Sequence, residues 1–179
     1  MTARLLDRSR SALVVVDVQE AFRPAVTGFD EVVANVSVLA RGAREVGVPV
    51  IVTEQYPRGL GETVPELAEA LGGVPRVEKT VFSAARADGF DLAGREQALV
   101  CGIEAHVCVS QTVHDLLERG VEVHVAADAV ASRAPENREV GLRKMAESGA
   151  ILSSTETALF EWLERAGTPE FKSVQALVR

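Results

Sequence analysis

Cys108 is the side chain with the most chemistry within reach. It closes the run Leu99-Val100-Cys101-Gly102-Ile103-Glu104-Ala105-His106-Val107-Cys108-Val109, in which an apolar strand breaks at Gly102 and a thiol stands where the next helix begins. Unpaired N–H groups and the positive end of a helix dipole favour a thiolate there, which predicts a thiol pKa below the ordinary value of about 8.5. Two more polar residues close apolar runs: Asp17 after Ala12–Val16, and Lys79 within the weaker run Val74–Val81. A nucleophilic thiol needs a base, and the histidines fail a geometric test. At about 100° per residue, His106 and His114 sit roughly 200° and 240° around a helix from Cys108, and His124 belongs to a later strand. Asp17 is the better base, since a carboxylate in a partly desolvated cleft takes up a proton more readily. Lys79 would supply the cation that holds thiolate and carboxylate together. Each residue also has an ordinary reading: a turn cap for Asp17, a solvated charge for Lys79, an inert core thiol for Cys108. Only their joint placement at three strand ends points to catalysis.

The elements that must position them alternate. Ala12–Val16 is a continuous apolar run of the kind found in a strand covered on both faces. A helical pattern from Asp30 to Val46 closes at Gly47. Val50–Thr53 reads as a strand, Glu54–Val64 as a loop rich in Pro and Gly, and Pro65–Leu71 as a short helix with Pro in its first turn. Gln97–Ile103 and Val121–Ala126 are strands around a helix from His106 to Arg119. Pro135–Ser148 (helix), Ala150–Ser153 (strand), Thr157–Arg165 (helix) and Pro169–Leu177 (helix) complete the chain. This order predicts one α/β domain over residues 1–179, a three-layer α/β/α sandwich around an open, mostly parallel six-stranded sheet of Rossmann-like topology. Ligands of such sheets bind beyond the carboxyl ends of the strands, where Asp17, Lys79 and Cys108 stand.

Composition narrows the partners. The 179 residues are 47% apolar and 25% charged, with a net charge of −7 and only 19 Lys plus Arg. With no basic run, neither nucleic acid nor an anionic membrane is expected as partner, and a small-molecule substrate is. No stretch approaches the roughly 20 apolar residues of a membrane span, and no apolar leader follows Met1, so a cytoplasmic location is expected. In that reducing compartment Cys101 and Cys108 should both be free, Cys101 as part of the strand core.

Four segments in order carry a resemblance. Leu13-Val14-Val15-Val16-Asp17-Val18-Gln19, Glu78-Lys79-Thr80-Val81-Phe82-Ser83, Cys101-Gly102-Ile103-Glu104-Ala105-His106-Val107-Cys108-Val109 and Asp128-Ala129-Val130-Ala131-Ser132-Arg133 resemble the isochorismatase-like cysteine hydrolases. The closing segment Ser153–Phe160 with Pro169–Lys172 resembles a subgroup of isochorismatase-domain proteins of unassigned substrate. The resemblance implies Asp17 as base, Lys79 as polarising cation and Cys108 as nucleophile. It also implies a cis peptide at Ile103-Glu104, which would aim the N–H groups of Glu104 and Cys108 into an oxyanion hole. The activity implied is hydrolysis of a small amide or related C–N bond through a Cys108 thioester. The presence of the cysteine argues against isochorismate cleavage. The metal site of the related nicotinamidases has no counterpart, because Glu54-Gln55-Tyr56-Pro57 lacks a histidine, so neither metal nor cofactor is expected. Gln19, Phe22, Glu54, Gln55, Tyr56 and Phe82 are the expected pocket residues, with Glu104 presenting its side chain beside the thiol. Asp128 and Arg133 are expected to pair. A homo-oligomer is expected, and the apolar stripe around Phe160 and Trp162 serves either as core or as subunit contact. Two other readings stay open: a binding or scaffold protein with a vestigial triad, and a redox-sensing thiol.

Overall fold

The computed structural model of the protein describes residues 4–179. Six strands form one all-parallel sheet: β1 (Ser11–Val16), β2 (Val50–Gln55), β3 (Arg76–Lys79), β4 (Gln97–Ile103), β5 (Glu122–Ala131) and β6 (Ile151–Ser153), in the order β3-β2-β1-β4-β5-β6. Every residue of β1 and β4 is buried, as their unbroken apolar sequences require of central strands. Side chains alternate between two cores. Leu13, Val15, Leu99 and Cys101 face α1 (Phe29–Val46) and the buried Trp162, while Val14, Val16, Ala98 and Val100 face Val113 and Met145 on the opposite side. The result is the three-layer α/β/α sandwich.

Among the described residues seven α-helices surround the sheet: α1, α2 (Pro57–Leu60), α3 (Pro65–Leu71), α4 (Ser110–Glu118), α5 (Pro135–Glu147), α6 (Thr155–Leu163) and α7 (Pro169–Leu177). Several boundaries differ from the sequence reading, three of them by more than an end residue or two. The expected loop 54–64 contains the single turn α2. Strand β5 runs on to Ala131, past the polar Asp128, whose carboxylate is satisfied by the backbone N–H and hydroxyl of Thr155 at the start of α6 (2.8 and 3.1 Å). The helix expected from His106 begins as a π-helical turn, Ala105–Val109, and becomes α-helical only at Ser110.

The topology determines where chemistry can gather. The chain builds β2 and β3 on one side of β1, then crosses to build β4, β5 and β6 on the other, so β1 and β4 flank the switch point at which such sheets bind ligands. Gly102 makes that junction possible. It has φ +116° and opposes Val16, and a Cβ at this position would stand 2.0 Å from the Val16 carbonyl oxygen.

Candidate active site

Asp17 follows β1 in a left-handed conformation, φ +53°, which Asp tolerates better than most side chains. Its carboxylate is fully buried and both oxygens are used. Thr53 on β2 donates its hydroxyl to Oδ1 (2.7 Å), and the Lys79 ammonium donates to Oδ2 (2.7 Å). Lys79 ends β3, two strands away, and its side chain crosses the end of β2 to reach this point. The ammonium also donates to Gln55 Oε1 (2.6 Å) and to the carbonyls of Phe82 (2.9 Å) and Val81 (3.3 Å). Both members of the ion pair have fully buried side chains. Such a pair persists only when further hydrogen bonds complete it, as they do here.

Cys108 enters from the other side of the switch point. It is the fourth residue of the π-helical turn and 5% exposed, near enough to the Asp17 carboxyl and the Lys79 side chain for both to act on its thiol. Thr112 holds the turn: its hydroxyl donates to the Cys108 carbonyl (2.6 Å) and accepts from Ala84 N–H (2.8 Å). Gly141 of α5 fits against the same turn, since a Cβ there would stand 2.9 Å from the Ala105 carbonyl oxygen. The peptide bond between Ile103 and Glu104 is cis. No simple sequence signal marks Thr112 or Gly141, whereas Thr53 stands out as a polar residue closing Val50-Ile51-Val52.

The electrostatics correct one expectation. Burial, and then the Asp17 carboxylate, push the Cys108 thiol up to about 12, against the opposing pull of Lys79. The cause is positional: Cys108 lies inside the helical turn, not at a solvent-facing helix start, and its nearest charge includes a carboxylate. Burial also raises the Asp17 carboxyl, opposed by Lys79, Thr53 and Cys108. The thiol therefore rests protonated beside the buried Asp17–Lys79 pair.

The expected pocket residues divide. Gln55 joins the site through Lys79 and donates its Nε2 to the Thr80 carbonyl (2.9 Å). Tyr56, 53% exposed, lines a cavity of about 460 Å³ with Arg58, Lys79, Thr80 and Val81. Phe82 is equally exposed beside it, and Phe22 is half-buried against the core. Gln19 and Glu54 are turned into the scaffold. Gln19 exchanges hydrogen bonds with the backbone of Gln55 in both directions (2.8 and 3.0 Å) and donates to the Gly61 carbonyl (2.6 Å). Glu54 accepts from the N–H and hydroxyl of Thr63 (2.7 and 2.6 Å), because alternation along β2 points it away from Thr53 and Gln55. Glu104 does not present its carboxylate to the thiol; Arg133 takes it through N–H (2.8 Å) and Nε (3.1 Å), so the expected Asp128–Arg133 pair is replaced by Glu104–Arg133. The histidines lie elsewhere, His106 on Ser132, His114 on Ser110 and Ser148, His124 on Glu122. Among the described residues no three His, Cys, Asp or Glu side chains gather as a metal site. Trp162 is core, while Phe160 is 39% exposed with its ring edge-to-face on Phe171.

Comparison with known proteins agrees with this architecture. Residues 11–157 match the model of the isochorismatase domain. The chain is 41% identical over 179 residues to mouse isochorismatase domain-containing protein 2A, covering 98% of this chain and 85% of that one. The structure of MAR1 ribonuclease from Caenorhabditis elegans superposes with a TM-score of 0.91 at 40% identity, over 97% and 92% of the two chains. YcaC from Pseudomonas aeruginosa, solved with hexane-2,5-diol and covalent acrylamide, superposes with a TM-score of 0.88 at 28% identity, over 99% and 93%.

Proposed function

The chain belongs to the isochorismatase family, whose fold supports a hydrolase-type function, and we propose that it is a cysteine-dependent hydrolase of a small amide or related C–N bond. The observation that carries this reading is the convergence of Asp17, Lys79 and Cys108, from three strand ends, into one buried cluster. In the proposed reaction the Cys108 sulfur attacks the sp² carbon of the substrate as Asp17 takes the thiol proton. The backbone N–H groups of Glu104 and Cys108 receive the developing oxyanion; loss of one such donor typically costs on the order of 3 kcal/mol. Collapse breaks the C–N bond, and the proton on Asp17 leaves with the amine. Water then attacks the thioester, gives its proton to Asp17 and releases the acid, and the proton returns to sulfur. Lys79, bonded to Asp17 Oδ2, keeps a carboxylate and an emerging thiolate compatible at close range. The covalent acrylamide in the Pseudomonas relative supports a nucleophile in this fold that a small amide-bearing molecule reaches.

Release of ammonia from a panel of primary amides, N-carbamoyl compounds and ureides tests the proposal, with Cys108→Ala as the blank. Turnover by the parent and none by the variant is expected; equal release from both removes the amidase reading. An RNA substrate belongs in the same panel, because a 40% identical relative carries the name ribonuclease. The net charge of −7 weighs against it. We further propose a homo-oligomer, with sedimentation velocity as its measure. Location is left to fractionation: among the described residues no helix is long and apolar enough to cross a membrane.

A further inference from the structure

Strand β2 lies between the strands that bring Asp17 and Lys79. It contributes no group to the reaction proposed above, yet two of its residues, Thr53 and Gln55, touch one member each of the buried ion pair. They stand two positions apart and so share a face, while Glu54 between them points to Thr63. We propose that Thr53 is a positioning residue that keeps the Asp17 carboxylate ionised and fixes its orientation beside the thiol. The proposal rests on the reading of Asp17 as base.

The geometry supports it in three steps. Thr53 is fully buried in a strand, where a β-branched side chain has restricted χ1, so its hydroxyl has a defined direction. Its one hydrogen goes to Asp17 Oδ1 at 2.7 Å, while Thr53 backbone carbonyl accepts Asp17 N–H at 3.1 Å, so the same residue holds Asp17 at both ends. With Lys79 on Oδ2, each carboxylate oxygen is tethered and the group cannot rotate away from Cys108. The groups facing Asp17 are Thr53 from β2, Lys79 from β3 and Cys108 from the turn after β4; of these, Thr53 is the one that is not a titratable group. A hydrogen bond to a carboxylate favours the charged form, so removing it must move the titration of Asp17 upward.

The titration can be read without a substrate, from the ¹³C carboxyl resonance of Asp17 in the full chain, assigned by its absence in Asp17→Asn. In Thr53→Val, which keeps the shape and loses the hydroxyl, the midpoint should rise by about one pH unit. Thr53→Ser should restore it, and Thr63→Val, which removes a hydroxyl bonded to Glu54, should leave it in place. Superposed titrations of Thr53→Val and parent overturn the proposal. If the valine variant does not fold, Thr53→Ala is read by the same criterion. Failure of the base assignment looks different: Cys108-dependent turnover would survive in Asp17→Asn, whatever the titrations show.

Discussion

Gly102→Ala tests the glycine of the described residues whose Cβ would come nearest to main-chain atoms. The new methyl would stand 2.0 Å from the Val16 carbonyl oxygen and 2.8 Å from Val16 C and N, all main-chain atoms that no side-chain rotation can clear. Gly120 provides the control, since it also has positive φ, +78°, but its Cβ would meet nothing within 4 Å. An L-residue in such a conformation costs about 1–2 kcal/mol at either site. The overlap adds about 1–3 kcal/mol at 102 alone, by the measure of overpacked cores. For a chain of this length each kcal/mol lowers Tm by roughly 2–4 °C, so Gly102→Ala should melt about 6 °C below Gly120→Ala. The clash can be relieved only by parting β4 from β1 at the Val16–Gly102 pair, beside which Asp17 and Cys108 meet. Paired thermal melts and urea titrations read the difference. Coincident melting of the two variants would mean that the β1–β4 junction is not sterically determined as described.

Alkylation of Cys108 by iodoacetamide, localised by mass spectrometry, should respond to its two charged neighbours with opposite signs. Asp17 raises the thiol pKa and Lys79 lowers it, so Asp17→Asn should alkylate faster than the parent near pH 8 and Lys79→Ala more slowly. Equal rates in all three proteins would leave the cluster without electrostatic coupling. His124, buried with its Nδ1 unpartnered among the described residues, has its pKa lowered by burial below the ordinary value of about 6.5. The folded state therefore binds fewer protons than the unfolded one as pH drops below 6.5, and the stability contributed by neutral His124 is lost through that window. Urea unfolding at pH 7.5 and 5.5 should show a smaller pH dependence in His124→Leu than in the parent, and an unchanged dependence would contradict the assignment. Trp162→Ala removes a fully buried core side chain and should cost about 3–5 kcal/mol by urea unfolding, whereas a loss under 1 kcal/mol would place Trp162 outside the packed core.

The fold was largely legible because its signals are local. Val14-Val15-Val16 and Ala98-Leu99-Val100-Cys101 are apolar on successive positions, which only a strand covered on both faces satisfies, and Gly47 and Gly72 end helices in left-handed conformations. Polar residues after those runs marked where a site would form. What remained hidden depends on partners distant in sequence. Asp128 reads as the partner of Arg133 until Thr155 is seen to satisfy it, and Glu54 reads as a pocket residue until Thr63 takes its carboxylate. The π-helical turn at Ala105–Val109 has no compositional mark, and it is the feature that withdraws Cys108 from a helix start. The expectation of an acidic thiol failed because burial and the Asp17 carboxylate together outweigh the pull of Lys79.

That failure helps to choose among the readings of the cysteine. A redox-sensing thiol works through its thiolate, and a thiol pushed up to about 12 beside a carboxylate is almost wholly protonated near neutral pH. The other cysteine, Cys101, is core, with its thiol against the Val14 carbonyl (3.6 Å), and gives no accessible resolving partner. A hydrolase faces no such obstacle, because its thiol need lose the proton only as sulfur bonds to carbon, and the acceptor for that proton is already in place. On the proposed reading, the buried carboxylate beside the thiol takes its proton when a substrate displaces the equilibrium. Burial raises both groups, the thiol and the carboxyl, and on that reading a proton passes between Asp17 and Cys108 only with the substrate in place.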